Sequence, residues 1–238
     1  AYDVASCLVG SEMCIRDRCL TDHVDLFRPR ETAHWEHDFS NREETFARAD
    51  QAADGKIIVR RGIELGEAMR DFAYADELLS RLPELDFVIG SQHQLSEKYD
   101  WNDLYFMPEA TEQEAREQIA DYLTLVLETA KWGKFSVLGH LTLPLRYMNE
   151  NHGMHMSFDG FEDEVAQVFR ALIENGCGIE CNVNRGNTPL PDAKWLRLYH
   201  ELGGEIVTIG SDAHAPKRIA ADFDRACSIL KKCGFRYH

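Results

Sequence analysis

The chain of 238 residues has no apolar run long enough to span a bilayer, and no basic, apolar and small-residue pattern at its start. Cytoplasm is therefore the expected compartment. Its seven cysteines, at positions 7, 14, 19, 177, 181, 227 and 233, make no close pair of the zinc-knuckle kind and no framework spacing. They read as reduced thiols that mostly fill core, with Cys177 and Cys181 flanking a buried strand. Basic residues are scarce: 26 Lys and Arg stand against 41 Asp and Glu, a formal net charge of -15. That balance argues against nucleic acid or anionic membrane as a partner surface. It does not exclude an anionic small substrate, because divalent cations can reverse the field inside one pocket. A glycine-rich dinucleotide fingerprint is missing after every strand, and no low-complexity linker interrupts the chain, so one domain without a nucleotide crevice is expected.

Residues 1–18, AYDVASCLVGSEMCIRDR, carry neither a helical nor a strand period and resemble a translated sequencing adaptor. They read as a non-native segment, 19–238 as the single domain, and the native first strand as missing or replaced. From Cys19 onward strand and helix signals alternate. Cys19-Leu-Thr-Asp-His23 reads as a strand end, 28–53 as a polar aromatic loop, Lys56 to Glu64 as a β-branched strand, and 67–82 as a helix. Asp86 to His93 is the next strand. Thr111-Glu-Gln-Glu114 is a capping box that opens a long amphipathic helix to about Trp132. Phe135 to His140, Gly178 to Asn184 and Ile206 to Ile209 complete the strands, with helices over 161–175, 191–202 and about 217–232 between and after them. This order predicts a parallel sheet. Ligand-type residues at the ends of separate strands predict its closure into an α/β TIM-like barrel with one catalytic face.

Those strand-end residues are His23, Glu64, His93, His140, Asp212 and His214. Asp212 and His214 lie two apart, so on an extended backbone both side chains leave the same side of the chain. Each histidine alone reads as a hydrogen-bonded core residue; six such groups at strand ends together point to metal. Neutral imidazoles and carboxylates suit divalent zinc, manganese or iron, and the set exceeds what one tetrahedral ion needs. Glu64 can give one oxygen to each of two ions. Adjacent cations bring the pKa of a bound water near neutrality, which suits attack on phosphorus or on a carbonyl. His34-Trp-Glu-His37 and His152-Gly-Met-His155 lie in loops with no strand to fix them, and read as solvent-side or lid residues.

The stretches LTDHVDLF, RRGIELGE, DFVIGSQHQL, LGHLTLPLRY, GIECNVNR and GGEIVTIGSDAHAPKR together resemble the PHP (polymerase and histidinol phosphatase) metallohydrolases, most closely the histidinol-phosphatase branch. The resemblance runs from about Leu20 to Tyr237. It implies a distorted seven-stranded barrel with three divalent ions, and Glu64, Asp212 and His214 as catalytic residues. By analogy Glu64 bridges the first two ions, Asp212 helps hold the first, His93 and His140 the second, and His23 and His214 the third. Arg146 and Arg185 resemble the family's phosphate-binding arginines, whose planar fork matches two phosphate oxygens. The family's first strand carries a His-x-His pair, and no such segment precedes His23.

What the resemblance implies as reaction is hydrolysis of L-histidinol phosphate to L-histidinol and phosphate in histidine biosynthesis. Three alternatives stay open at this point. They are a PHP phosphoesterase for another small phosphate ester, an amidohydrolase-type metal hydrolase, and an inactive metal-binding fragment. The amidohydrolase reading wants a bridging lysine, and no lysine ends a strand here.

Overall fold

Short aliphatic runs, rich in valine and isoleucine, build the strands of this computed structural model, which describes residues 4–8 and 17–236. Strands β2 (Asp17–Asp25), β3 (Ile58–Gly66), β4 (Phe87–Ser91), β5 (Val137–Leu138), β6 (Gly178–Asn182) and β7 (Val207–Gly210) pair in parallel, each with the next. A seventh strand, β1 (Val4–Leu8), lies antiparallel between β7 and β2 and closes the barrel. The parallel strands are covered on their outer face by α1 (Arg42–Ala53), α2 (Phe72–Arg81), α3 (Glu112–Trp132), α5 (Glu162–Glu174), α6 (Ala193–Glu201) and α7 (Phe223–Cys233). A one-turn helix, α4 (Leu143–Leu145), runs into a π-turn over 146–151.

Burial on both faces explains why the central strands read as unbroken apolar runs. Ile63, Val137, Ile179 and Ile209 are fully enclosed, and the largest cluster joins strand residues to α3, α5 and α6 through Tyr122, Phe169, Trp195 and Tyr199. The capping box at Thr111 forms as expected, with the Thr111 hydroxyl accepting the Glu114 N–H and Glu114 accepting the Thr111 N–H. Cys177 and Cys181 are buried free thiols, one just before β6 and one within it. No helix among the described residues is long and apolar enough to cross a membrane.

Three expectations need correction. The loop read over 28–53 contains α1, whose only buried residues are Arg42 and Phe46, so an apolar stripe is nearly absent from its sequence. Helix α7 begins at Phe223, well after Lys217, because Pro216–Arg218 forms only a single 3-10 turn. The third correction concerns the start. Val4–Leu8, inside the segment set apart as non-native, is a barrel strand: Val4 pairs with Asp22 and Cys7 with both Cys19 and Gly210. Without it β2 and β7 would each present a row of unpaired backbone groups, and any extended segment in that gap satisfies both. Its antiparallel direction follows from length, since residues 9–16 are fewer than the dozen or so that a parallel crossover needs. The edge beside Cys19 is therefore covered.

Candidate metal centre

Parallel strands open all their carboxyl ends on one face, so residues at or just past those ends meet there. His23 is in β2 and Glu64 in β3, paired with one another in the sheet register. His93 and His140 follow β4 and β5 by two residues, and Asp212 follows β7 by two. His140 and Asp212 both take positive φ, 21° and 48°, which turns their side chains sharply out of the strand line. Glu64 is the centre of the group. Its Oε1 lies 3.1 Å from His93 Nε2, 2.9 Å from His140 Nε2 and 2.7 Å from the Ser91 hydroxyl that donates to it. Its Oε2 is 3.6 Å from His23 Nδ1.

The two imidazole nitrogens of His93 and His140 stand 3.3 Å apart and face the same carboxylate oxygen. Two ring nitrogens and a carboxylate oxygen thus crowd one point, which is the donor grouping that a divalent cation takes. His23 Nδ1 and His140 Nδ1 are moreover buried without a hydrogen-bond partner. His23, Glu64 and His93 each offer a ligand atom within 4.8 Å of the others. The donor set is nitrogen and carboxylate oxygen, which suits a divalent metal ion. Burial opposes ionisation of Glu64, but the charge of His23 and hydrogen bonds from His140 and His93 outweigh it and hold the carboxyl well below the usual range.

A second group forms around Asp212. Its Oδ2 accepts from Arg146 Nη1 at 2.8 Å, and its Oδ1 lies 3.4 Å from His214 Nδ1. Burial pushes the Asp212 carboxyl up, while the neighbouring Arg146 guanidinium and the histidines pull it down, and the net direction is down. The His214 ring is 5.7 Å from that of His23, which links the two groups. Arg146, one of the two arginines that resemble the family's phosphate-binding pair, is 4% exposed, so it is no solvated residue. Its guanidinium also donates to Asn184 Oδ1 at 2.8 Å and to Asn182 Oδ1 at 3.2 Å. Arg185 sits on left-handed backbone, φ 56°, and lines the same cavity of about 420 Å³ as His23, His93, His140, Asp212 and His214. Of the loop histidines, His34 pairs with Asp71 and stacks on Tyr74 and His152 meets the Met107 carbonyl, while His37 Nε2 meets the Asp25 carbonyl at 2.8 Å.

Sequence reasoning missed the acidic groups that hold these residues. Asp25 Oδ1 accepts from His93 Nδ1 at 3.0 Å, which fixes the tautomer that leaves Nε2 aimed at Glu64. Glu67, fully buried, accepts the His93 backbone N–H at 2.7 Å. Burial, then the charge of Asp25, pushes the Glu67 carboxyl well up. Gly66 has to be glycine, because a Cβ there would collide with Asp25 Oδ1. Glu180 Oε2 accepts the His140 N–H at 2.8 Å, and burial raises the Glu180 carboxyl to about 7. Strand parity could have found some of them: Asp25 stands two residues beyond His23, and Glu180 two before Asn182 in β6.

The chain is similar to several known proteins. A histidinol-phosphatase of Lactococcus lactis subsp. lactis is 27% identical over 230 residues, covering 93% of this chain and 81% of that protein. A Thermotoga maritima protein named probable histidinol-phosphatase is 27% identical over 223 residues, covering 92% and 80%. In fold, the chain matches the crystal structure of the Lactococcus lactis histidinol phosphate phosphatase complexed with zinc, L-histidinol and phosphate, with a TM-score of 0.74 at 22% identity, covering 93% of this chain and 83% of that one. The family described as PHP domain matches residues 11–184, most of the barrel with Glu64, His93 and His140 inside it, and the chain belongs to that family.

Proposed function

We propose that this protein is a divalent-metal-dependent phosphomonoesterase that hydrolyses L-histidinol phosphate to L-histidinol and phosphate. The observation that carries the reading is the convergence of His23, His93 and His140 on the two oxygens of Glu64, beside a cavity that also holds Arg146 and Arg185. The names of the relatives support the substrate. His23, Glu64, His93, His140, Asp212 and His214 are the residues that would hold the ions, three in number by the family resemblance, as zinc, manganese or iron. Bound divalent cations supply Lewis-acid charge to the phosphoryl oxygens and activate water for attack on phosphorus.

The chain's own groups do the rest. Arg146 donates to Asp212, Asn182 and Asn184, which pin its guanidinium on the cavity wall. Arg185 adds a second fork from the rim. Asp25 and Glu67 hold His93, and Glu180 holds the turn at His140, so the imidazoles are oriented before any ligand arrives. Among the described residues no lysine lines the cavity, which counts against the amidohydrolase reading. The test is phosphate release from L-histidinol phosphate with added manganese, zinc or iron, beside a panel of sugar and nucleotide monophosphates. A clear preference for histidinol phosphate, abolished by chelation, is expected. Preference for another ester removes the substrate assignment, and activity that survives exhaustive chelation removes the metal.

A further inference from the structure

Three carboxylates line the site cavity, and two of them are accounted for: Asp25 is tied to His93, and Asp212 to Arg146. The third, Asp103, has no ion-pair partner among the described residues; its Oδ1 accepts the Tyr105 N–H at 2.6 Å, capping the short 3-10 turn Leu104–Phe106. The backbone fixes it beside the metal-type residues. Gln94 and Asp103 form an antiparallel bridge, and Leu104 N–H donates to the His93 carbonyl at 2.8 Å. Asp103 is thus a half-buried carboxylate on the wall of the cavity, its backbone next to that of His93, while Arg146 in the same cavity is already paired with Asp212. An unpaired carboxylate in that setting is costly unless a cation joins it.

We propose that Asp103 is the subsite for the substrate's ammonium group, and that it selects an amino-alcohol phosphate over a phosphate ester without the amine. This rests on the histidinol phosphate reading. The amine of that substrate is on the carbon next to the one bearing the ester oxygen, so with phosphorus at the metal-type residues the ammonium must lie close to them. Asp103, whose backbone is bridged beside His93 and whose side chain lines the same cavity, stands on the side of the site where this chemistry needs a counter-charge. Tyr105 and Tyr147, edge to face at 5.8 Å, wall the same cavity and leave the apolar part of the ligand an aromatic surface.

Asp103→Asn separates the two roles, because an amide oxygen still caps Tyr105 while the charge is gone; Asp103→Ala removes both. The readout is the ratio of kcat/KM for L-histidinol phosphate to that for its deamino analogue, together with the Kd of L-histidinol from titration calorimetry. The ratio should fall about 10–100-fold in both variants, and L-histidinol binding should weaken by a similar factor, the usual loss for a hydrogen bond between charged groups. Equal loss on both esters, no loss, or a defect in Asp103→Ala that Asp103→Asn lacks would overturn the subsite and leave the phosphatase reading standing. Failure of the parent protein to hydrolyse histidinol phosphate overturns both.

Discussion

Glu64 is the residue on which the site depends most, and its replacement separates fold from chemistry. It is 3% exposed and its two oxygens meet three imidazoles and one hydroxyl. Glu64→Gln keeps the shape, and the amide can still accept one hydrogen bond, but it cannot present two anionic oxygens. Turnover should fall by orders of magnitude, and bound metal measured after desalting should drop, while the thermal melt without metal stays cooperative. Undiminished turnover would show that Glu64 is a core carboxylate and nothing more. The six strand-end residues were legible in the sequence because a ligand type at the end of a β-branched run is a local pattern. Asp25, Glu67 and Glu180 were not, since each acts through a neighbour on another strand, and only the sheet register tells which neighbour that is. Arg146 was half legible: its type and place suggested phosphate, but its burial against Asn182 and Asn184 depends on how the π-turn after α4 folds back over β6.

Among the elements, legibility followed amphipathicity. Helix α3 was readable at both ends, from the Thr111 capping box to Gly133 in left-handed conformation after Trp132. Helix α1 was not, because Arg42–Ala53 buries little more than Phe46 and its sequence of charges and alanines gives no stripe. The cap on α3 also makes a prediction that stays clear of the site. Thr111→Ala removes the hydroxyl that accepts the Glu114 N–H at 3.3 Å. The expected cost is about 1 kcal/mol. In a domain of this size that lowers Tm by roughly 2–4 °C, with kcat/KM unaltered. A melt followed by circular dichroism, paired with the phosphate-release assay, checks both halves; a large activity loss would mean that α3 transmits its position to the cavity through Ser96, which Asp121 holds at 2.6 Å.

On the scale of the whole molecule, the strand–helix alternation and the common face of the ligand-type residues made the closed barrel legible, but not the strand that closes it. Closure depends on β1, whose sequence Val4–Leu8 ends no strand in a metal-type histidine or carboxylate and shares no pattern with the later strands. Backbone demand alone gives it a place: β2 carries His23 and β7 leads into Asp212 and His214, and both need a partner along the same gap. Cys7 is the position to probe, because it pairs on one side with Cys19 and on the other with Gly210. Cys7→Pro deletes an N–H at a point flanked by strands on both sides, and proline inside a sheet costs a ladder hydrogen bond and local pairing. Cys7→Val keeps the N–H and favours a strand, so it controls for loss of the thiol. The proline variant should melt several degrees lower, with a broader transition, and should release metal more readily, because the strands on either side of the break carry His23, Asp212 and His214; the valine variant should match the parent. Should Cys7→Pro melt and retain metal like the parent, Val4–Leu8 would be dispensable to the barrel, and β2 and β7 would have to satisfy their edges in some other way.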